Sequence, residues 1–309
     1  MPRYSDRDYA LVGAEEATPG VAVVLNPALH AIRLMSKPAF NPEYLEREDK
    51  SIAQAYGDGI SSVIGKTMSL EVSFYLRSGG GLGIIPDFAP LIACADHNLV
   101  STLNTSVLIS PTSARGSARK TATFDWYDNG LVYHFVGAKA SAFTFEQNMD
   151  GSVTAKVTIL AAYADPQPAA VLPATLAYQQ SDKIDVMASD VVTEAGISIA
   201  VGSFSFDSSL AASQARYIGQ TEVHTDDRPK PTITFSKASL TFAADHGKLL
   251  ASTLAIFTSK SGAAGNRITF SAPQGQYTSL KSKANNSLVD DECVIALRGR
   301  DSAYQILID

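Results

Sequence analysis

Two observations in the amino-acid sequence predict a mainly β protein built from antiparallel sheets. Apolar residues alternate with polar ones over most of the chain, and turn residues of the hairpin type join the alternating runs. The alternation runs through Met68/Leu70/Val72/Phe74/Leu76, Phe124/Trp126, Leu131/Tyr133/Phe135, Phe143/Phe145 and Val153/Ala155/Val157/Ile159. It resumes as Ile197/Ile199/Val201, Phe204/Phe206, Ile233/Phe235, Ile268/Phe270 and Cys293/Ile295/Leu297. Period two puts every second side chain on one face, so each run predicts a strand with one buried face. Between Val201 and Phe204 the phase slips by one residue at Gly202, which predicts a bulge. "DNG" at 128–130 and "DG" at 150–151 predict hairpin turns.

Three segments predict short helices. Asn41 and Pro42 supply a cap and a first-turn proline ahead of "EYLEREDKSIAQAY", and Gly57 supplies a stop, which predicts a helix near 41–56. "DFAPLIACAD" predicts a second near 87–96. "HGKLLASTLAIFTSK" spaces Leu250, Leu254 and Phe257 at helical intervals and predicts a third near 246–260. The proline-rich "DPQPAAVLPA" suits a linker better than a strand. The elements on either side follow a similar order: strand, helix, then further strands. The chain is therefore divided into a first β domain at 1–170, a linker region at 171–192 and a second β domain at 193–309. A single domain carrying an outer decoration is the alternative.

At 309 residues the chain can bury two cores. A formal charge of −6 argues against a broad electrostatic grip on nucleic acid, which needs basic residues to displace counterions from phosphates. Cys94 and Cys293, each in apolar surroundings and far apart in sequence, are expected as buried free thiols. No apolar stretch approaches the roughly 20 residues that span a bilayer, and the polar start lacks a signal-peptide core, so no membrane association is expected.

"RSGGGLGIIPDFAPLIACAD", residues 77–96, raises the question of phosphate binding. A Walker loop needs Gly-Lys-Ser/Thr after its glycines, which is absent, and Ile84 stands where a dinucleotide fingerprint needs its third glycine. An extended turn is the reading. The five histidines show no ligand spacing, and "HTDD" at 224–227 reads as an acidic turn. No G-x-S-x-G elbow exposes a serine. "RGSARK" carries Arg115, Arg119 and Lys120 without interleaved aromatics and reads as a solvated loop, or as a salt-bridging contact to a neighbouring subunit. "NTS" at 104 and "NNS" at 285 match glycan acceptors, which carry no weight without a secretion signal. Catalysis, cofactor and metal are not expected.

The segment "IGKTMSLEVSFYLRSGGGLGIIPDFAPLIACADH" resembles tailed-bacteriophage tail tube proteins, where a strand leads through a Gly-rich loop into a short Pro- and Leu-containing helix. Pro86, Pro90, Leu91, Ala93 and Cys94 carry the likeness, while Asp96-His97 stand where the pattern has glycine. "WYDNGLVYHFVGAKASAFTFEQNMDGSVTAKVTILAAY" is similar to the following strands of that family, with Gly137, Ala138 and Lys139 at its Gly-Ala-basic turn. "VGSFSFD", "DDRPKPTITF", "AAGNRITFSAP" and "CVIAL" resemble tube sequences of non-contractile tails. The resemblance implies antiparallel β-sandwich or half-barrel domains with short flanking helices, self-assembled into stacked rings. The resemblance further implies that the genome passes through the lumen without specific binding. It implies a virion tail component made in the host cytoplasm, with the tape measure and tail-end proteins as partners. Contact between subunits is then expected at Arg77, Gly79, Gly80, Gly81, Leu82, Arg115, Arg119 and Lys120, with the Gly-rich loop mobile until assembly. Two tube-type domains per chain would give homotrimeric rings of pseudo-sixfold symmetry, and one would give homohexamers. The competing readings are a carbohydrate-binding sandwich, which exposed aromatic platforms would favour, and another ring protein of the tail such as a terminator.

Overall fold

A computed structural model describes residues 8–48, 61–113, 119–148, 151–168, 172–187, 190–217, 220–225, 229–239, 242–285, 288–299 and 301–309. Among these described residues eighteen strands join one hydrogen-bonded network, apart from which stands a two-stranded ribbon. The first half contains β1 (Tyr9–Glu15), α1 (Pro27–His30), β2 (Ala31–Ile32), β3 (Ala39–Glu48), β4 (Ser61–Tyr75) and α2 (Ala89–Ala93). It continues with β5 (His97–Thr102), β6 (Ser106–Pro111), β7 (Ala122–Asp128), β8 (Leu131–Asn148) and β9 (Thr154–Ala162). The pairing runs β3-β4-β9-β8, and from β8 onward through β7 and β1 to β2. Every pairing is antiparallel. Asn129 and Gly130 turn β7 into β8 with φ of 49° and 78°, the left-handed pair that a two-residue hairpin needs.

After the short β10 (Gln167–Pro168), the second half contains β11 (Val191–Glu194), β12 (Ile197–Ile199), β13 (Val201–Asp207), the ribbon β14 (Ala212–Tyr217) and β15 (Gln220–Thr225), and β16 (Thr232–Ala238). Then come α3 (Phe242–Leu250), β17 (Leu254–Ala263), β18 (Asn266–Asn285), β19 (Leu288–Leu297) and β20 (Gln305–Ile308). Here the pairing runs β13-β16-β19-β18, and from β18 through β17 and β11 to β12. The halves join where Thr144–Asn148 of β8 pairs with Ser203–Asp207 of β13, and again where β20 pairs with both β18 and β6.

The alternation found in the sequence supplies the core. Met68, Leu70, Val72, Phe74, Phe143, Phe145, Ile233 and Ile295 are all fully buried and belong to one apolar cluster that spans both halves. Burying each large side chain contributes about 2 kcal/mol before conformational entropy is counted. The phase slip at Gly202 is a register shift between Val201 and Ser203. Cys94 and Cys293 are buried free thiols, and Trp126 is fully buried. Ile197 departs from the pattern: it lies on the edge strand β12 and is exposed.

Two of the three expected helices need correction. Residues 41–48 form part of β3, laddered against β4 from Ala39↔Glu71 to Glu48↔Ser61, while residues 49–56 lie outside the described residues. Local helix propensity, worth tenths of a kcal/mol per residue, yields here to a ten-residue ladder. The helix expected at 246–260 begins earlier, at Phe242, and stops at Leu250; Ser252 is left-handed at φ 53°, and Leu254 opens β17. Leu250 and Leu254 are exposed, so their helical spacing marks no buried face. The helix expected near 87–96 is present as α2, and Leu91, Ile92 and Ala93 are buried. In the proline-rich segment, Gln167 and Pro168 pair with Val132 and Leu131, which gives the expected linker a two-residue edge strand.

Two polar contacts hold the exit of α2. Asp96 takes the left-handed conformation (φ 56°) that glycine favours, and its carboxylate receives buried Lys139 at 2.5 Å. Asp96 is thus coupled to Lys139, and Gly137–Lys139, expected as a turn, lies within strand β8 with Gly137 at φ 63°. His97 is buried and hydrogen-bonded through Nε2 to the Tyr304 hydroxyl at 2.6 Å, tying the first half to the C-terminal segment. Burial pushes the His97 pKa down to about 4.

The Lys139→Ala variant is expected to lose about 3 kcal/mol in denaturant unfolding, because it strands the Asp96 carboxylate. Since the folded-state pKa of His97 lies below its unfolded value, its contribution is fully present above pH 6.5 and is lost as pH falls towards 4. Unfolding curves of the dispersed chain should register about 3 kcal/mol of loss from this residue across that window. The His97→Gln variant should flatten the same pH profile.

Candidate functional site

The Gly-rich loop between β4 and α2 is built for close backbone approach. A Cβ on Gly79 would lie 2.3 Å from the Ile84 carbonyl oxygen, and one on Gly83 only 2.2 Å from that of Thr102. Gly80 and Gly83 have φ of 90° and 72°, where side chains are disfavoured. Backbone groups tie the loop on three sides. The Ser101 hydroxyl on β5 donates to the Gly83 carbonyl. Gln179, between β10 and β11, donates to the Ile85 carbonyl at 2.9 Å and accepts from the Asp87 amide at 2.7 Å. The Ser78 amide donates to Asn266 Oδ1 of β18 at 3.1 Å. Main-chain groups of the loop and neighbouring polar side chains supply the hydrogen bonds that the glycines have no side chains to make.

Around this frame Leu82, Ile84 and Ile85 are exposed, next to exposed Val100 and Leu103 at the β5–β6 hairpin whose Thr102 carbonyl faces Gly83. Among the other expected contact residues, Gly79, Gly80 and Gly81 lie with Leu82 in the loop. Arg77 lies beneath it, 2% exposed, bridged through its backbone to Lys183, and burial pulls its pKa down. Lys120 is paired with Glu15 at the end of β1. Arg119 precedes β7, and Arg115 lies outside the described residues.

A second surface emerges only when the strands are laid side by side. The residues that alternate with the core on β4, β9 and β8 include Ser69, Glu71, Thr144, Glu146, Lys156 and Thr158, with a Lys156–Glu71 ion pair at 2.8 Å, beside half-buried Leu160 and Ala162. Across the junction the same face continues with Ser205, Asp207, Thr234 and Ser236, then Glu292 and Lys281. Period-two alternation carried the signal for each strand, but the order of strands that assembles them into one polar wall is a tertiary fact. Among the described residues no group of three or more His, Cys, Asp and Glu is arranged to hold a metal, and no helix is long and apolar enough to cross a membrane.

The loop geometry sets a stability contrast. Gly83→Ala is expected to lower unfolding stability by about 3 kcal/mol, because the new Cβ overlaps backbone and the φ is left-handed. At Gly80 a Cβ would meet nothing closer than 3.6 Å. Gly80→Ala should therefore cost only about 1 kcal/mol, the left-handed penalty alone. Thermal unfolding of the two variants checks the difference.

A search of curated proteins finds no match. A family profile described as phage tail tube protein matches residues 7–236, a span that takes in the whole first half, the Gly-rich loop and the β8–β13 junction. With a family match over most of its length and an antiparallel β architecture, the chain belongs to the phage tail tube proteins, structural subunits that stack as rings into the channel delivering the genome.

Proposed function

We propose that this tail tube subunit carries two copies of one tube-building unit, at 1–170 and 193–309 with a crossover at 171–192, so that three chains close a ring of pseudo-sixfold symmetry. The observation that carries the reading is the pairing order, β3-β4-β9-β8 in one half and β13-β16-β19-β18 in the other, with irregularities at matching places. β8 shifts register against β9 between Ala140 and Ala142, and β18 shifts against β19 between Tyr277 and Ser279. β7 shifts between Ala122 and Phe124, and β17 between Ala255 and Phe257. Bulges re-aim strands at fixed positions, so their recurrence supports a common unit. The first unit inserts β5–β6 after its helix, and the second inserts β14–β15 between its first two paired strands.

In this reading the polar sheet face lines the lumen. Its hydroxyls and carboxylates, on a chain of net charge −6, let DNA pass without specific binding, because few cations are available to neutralise phosphates. The Gly-rich loop with Leu82, Ile84 and Ile85 is covered by a neighbouring subunit in the tube. The role is structural and needs no catalysis. The tape measure and tail-end proteins are its further partners, and synthesis and assembly take place in the host cytoplasm.

Electron microscopy of assembled tubes tests the count. Threefold rings whose two halves superpose are expected. Sixfold symmetry of whole chains would overturn the two-unit reading.

A further inference from the structure

We infer that the ring closes by repeating the β8–β13 junction between chains: β3 of one copy adds antiparallel to the outer edge of β18 in the next, with Asn41 opposite Lys281. The inference rests on the two-unit reading and goes beyond it by fixing the strands and their register.

Inside the chain, the late strand of the first half, β8, pairs with the early strand of the second, β13. The equivalent late strand of the second half is β18, and the equivalent early strand of the first is β3. Both have open edges where the next unit would sit. Among the described residues β3 pairs only with β4, and β18 from Tyr277 to Asn285 pairs only with β19. Open edges are a liability unless a partner completes them, and a head-to-tail contact of this kind closes into a ring.

The shared bulges fix the register. Val72↔Val157 corresponds to Phe235↔Cys293, each three pairs in from its ladder end at Tyr75↔Thr154 and Ala238↔Asp290. Phe143 opposite Val157 then corresponds to Leu280 opposite Cys293, each two residues beyond the bulged position. Phe40 opposite Leu70 corresponds to Phe206 opposite Ile233. The ring contacts agree: Phe40 lies 4.4 Å from Tyr133, and Phe206 lies 5.3 Å from Phe270 at the equivalent place.

The junction pairs Asp207↔Thr144, Phe206↔Phe145 and Ser205↔Glu146 therefore translate to Asn41↔Lys281, Phe40↔Ser282 and Ala39↔Lys283. Lys281 is exposed on the free edge, and the exposed Glu43 of the neighbouring chain falls on its diagonal, an opposite-charge pair. Pro42 in β3, with Pro38 just before it, removes donors from that edge, which keeps it from serving as a general template for other strands.

The test is a disulfide across the junction in assembled tubes. Asn41→Cys combined with Lys281→Cys should give, on oxidation, a non-reducing ladder ending at three chains, and neither single variant should give one. The shifted pair Asn41→Cys with Lys283→Cys should cross-link about tenfold less, because disulfides demand opposed Cβ atoms. Native Cys94 and Cys293 are buried and contribute no background. In the unmodified protein, assembly should slow amide exchange at Phe40 and across Lys281–Asn285, which decides the matter if the double variant forms no tubes. Tubes without the ladder, an equal ladder from the shifted pair, or unchanged exchange at both segments would each overturn the register. Threefold rings lacking the ladder would leave the two-unit reading standing. A ladder ending at six would keep the register and remove the threefold count.

Discussion

The β8–β13 junction is the constraint on which the rest of the structure depends. Five backbone pairs, from Ser203↔Asn148 to Asp207↔Thr144, make one continuous sheet of the two halves. Its lower face is sealed by aromatic rings: Phe145 meets Phe206 at 5.2 Å and Phe270 at 5.4 Å, and Phe206 meets Tyr304 at 4.6 Å. Each such ring pair adds about 1 kcal/mol beyond the area it buries. The cluster draws residues from β8, β13, β18 and the C-terminal segment, so no single element can leave it without opening the others. β20 then stitches β18 to β6, and His97 reaches Tyr304 from the end of α2.

The two halves meet the same packing demand with different chemistry. In the first, the ring of Phe74 on β4 packs at 5.1 Å against Phe88, the residue that caps α2. In the second, β16 carries Lys237, whose ammonium lies 2.6 Å from the Asp245 carboxylate on α3. Lys248 joins Asp245 at 3.1 Å and Glu194 at 2.5 Å, and the Tyr277 hydroxyl donates to Glu194 at 3.0 Å. Burial and the nearby carboxylates hold the Tyr277 phenol well above its ordinary pKa and push the Cys293 thiol up to about 12. An apolar contact tolerates small shifts of the helix, whereas a buried ionic network demands one geometry, since any unpaired member carries a large desolvation cost.

For a tube subunit, the polar face and the open edges belong to one design. A sheet can present Ser, Thr and carboxylates along its whole length on one side only if the other side supplies the entire core, and here both halves feed a single apolar cluster. The Gly-rich loop follows similar logic. Its main chain is pinned by Ser101, Gln179 and Asn266, which leaves Leu82, Ile84 and Ile85 pointing outward instead of folding back into the interior.

Much of this was legible along the chain because it depends on neighbours in sequence. Alternation named the buried residues of β4, β9, β16 and β19, Asn129-Gly130 named a hairpin, and Gly202 named a bulge, since side-chain direction and allowed φ are local properties. The segments from Asn41 and from His246 carry caps and spacing of the helical kind, which are also local, whereas the interactions that decide their structure are not. β4 offers β3 a ladder, and β17 must fill the place between β11 and β18. The amino-acid sequence by itself determined the fold class, the core-facing residues and the family likeness. Tertiary structure alone decided which strands lie side by side, that Asp96 and Lys139 form a pair, and that two distant edges stay open among the described residues, because strand pairing joins residues far apart in the chain whose identities do not encode one another.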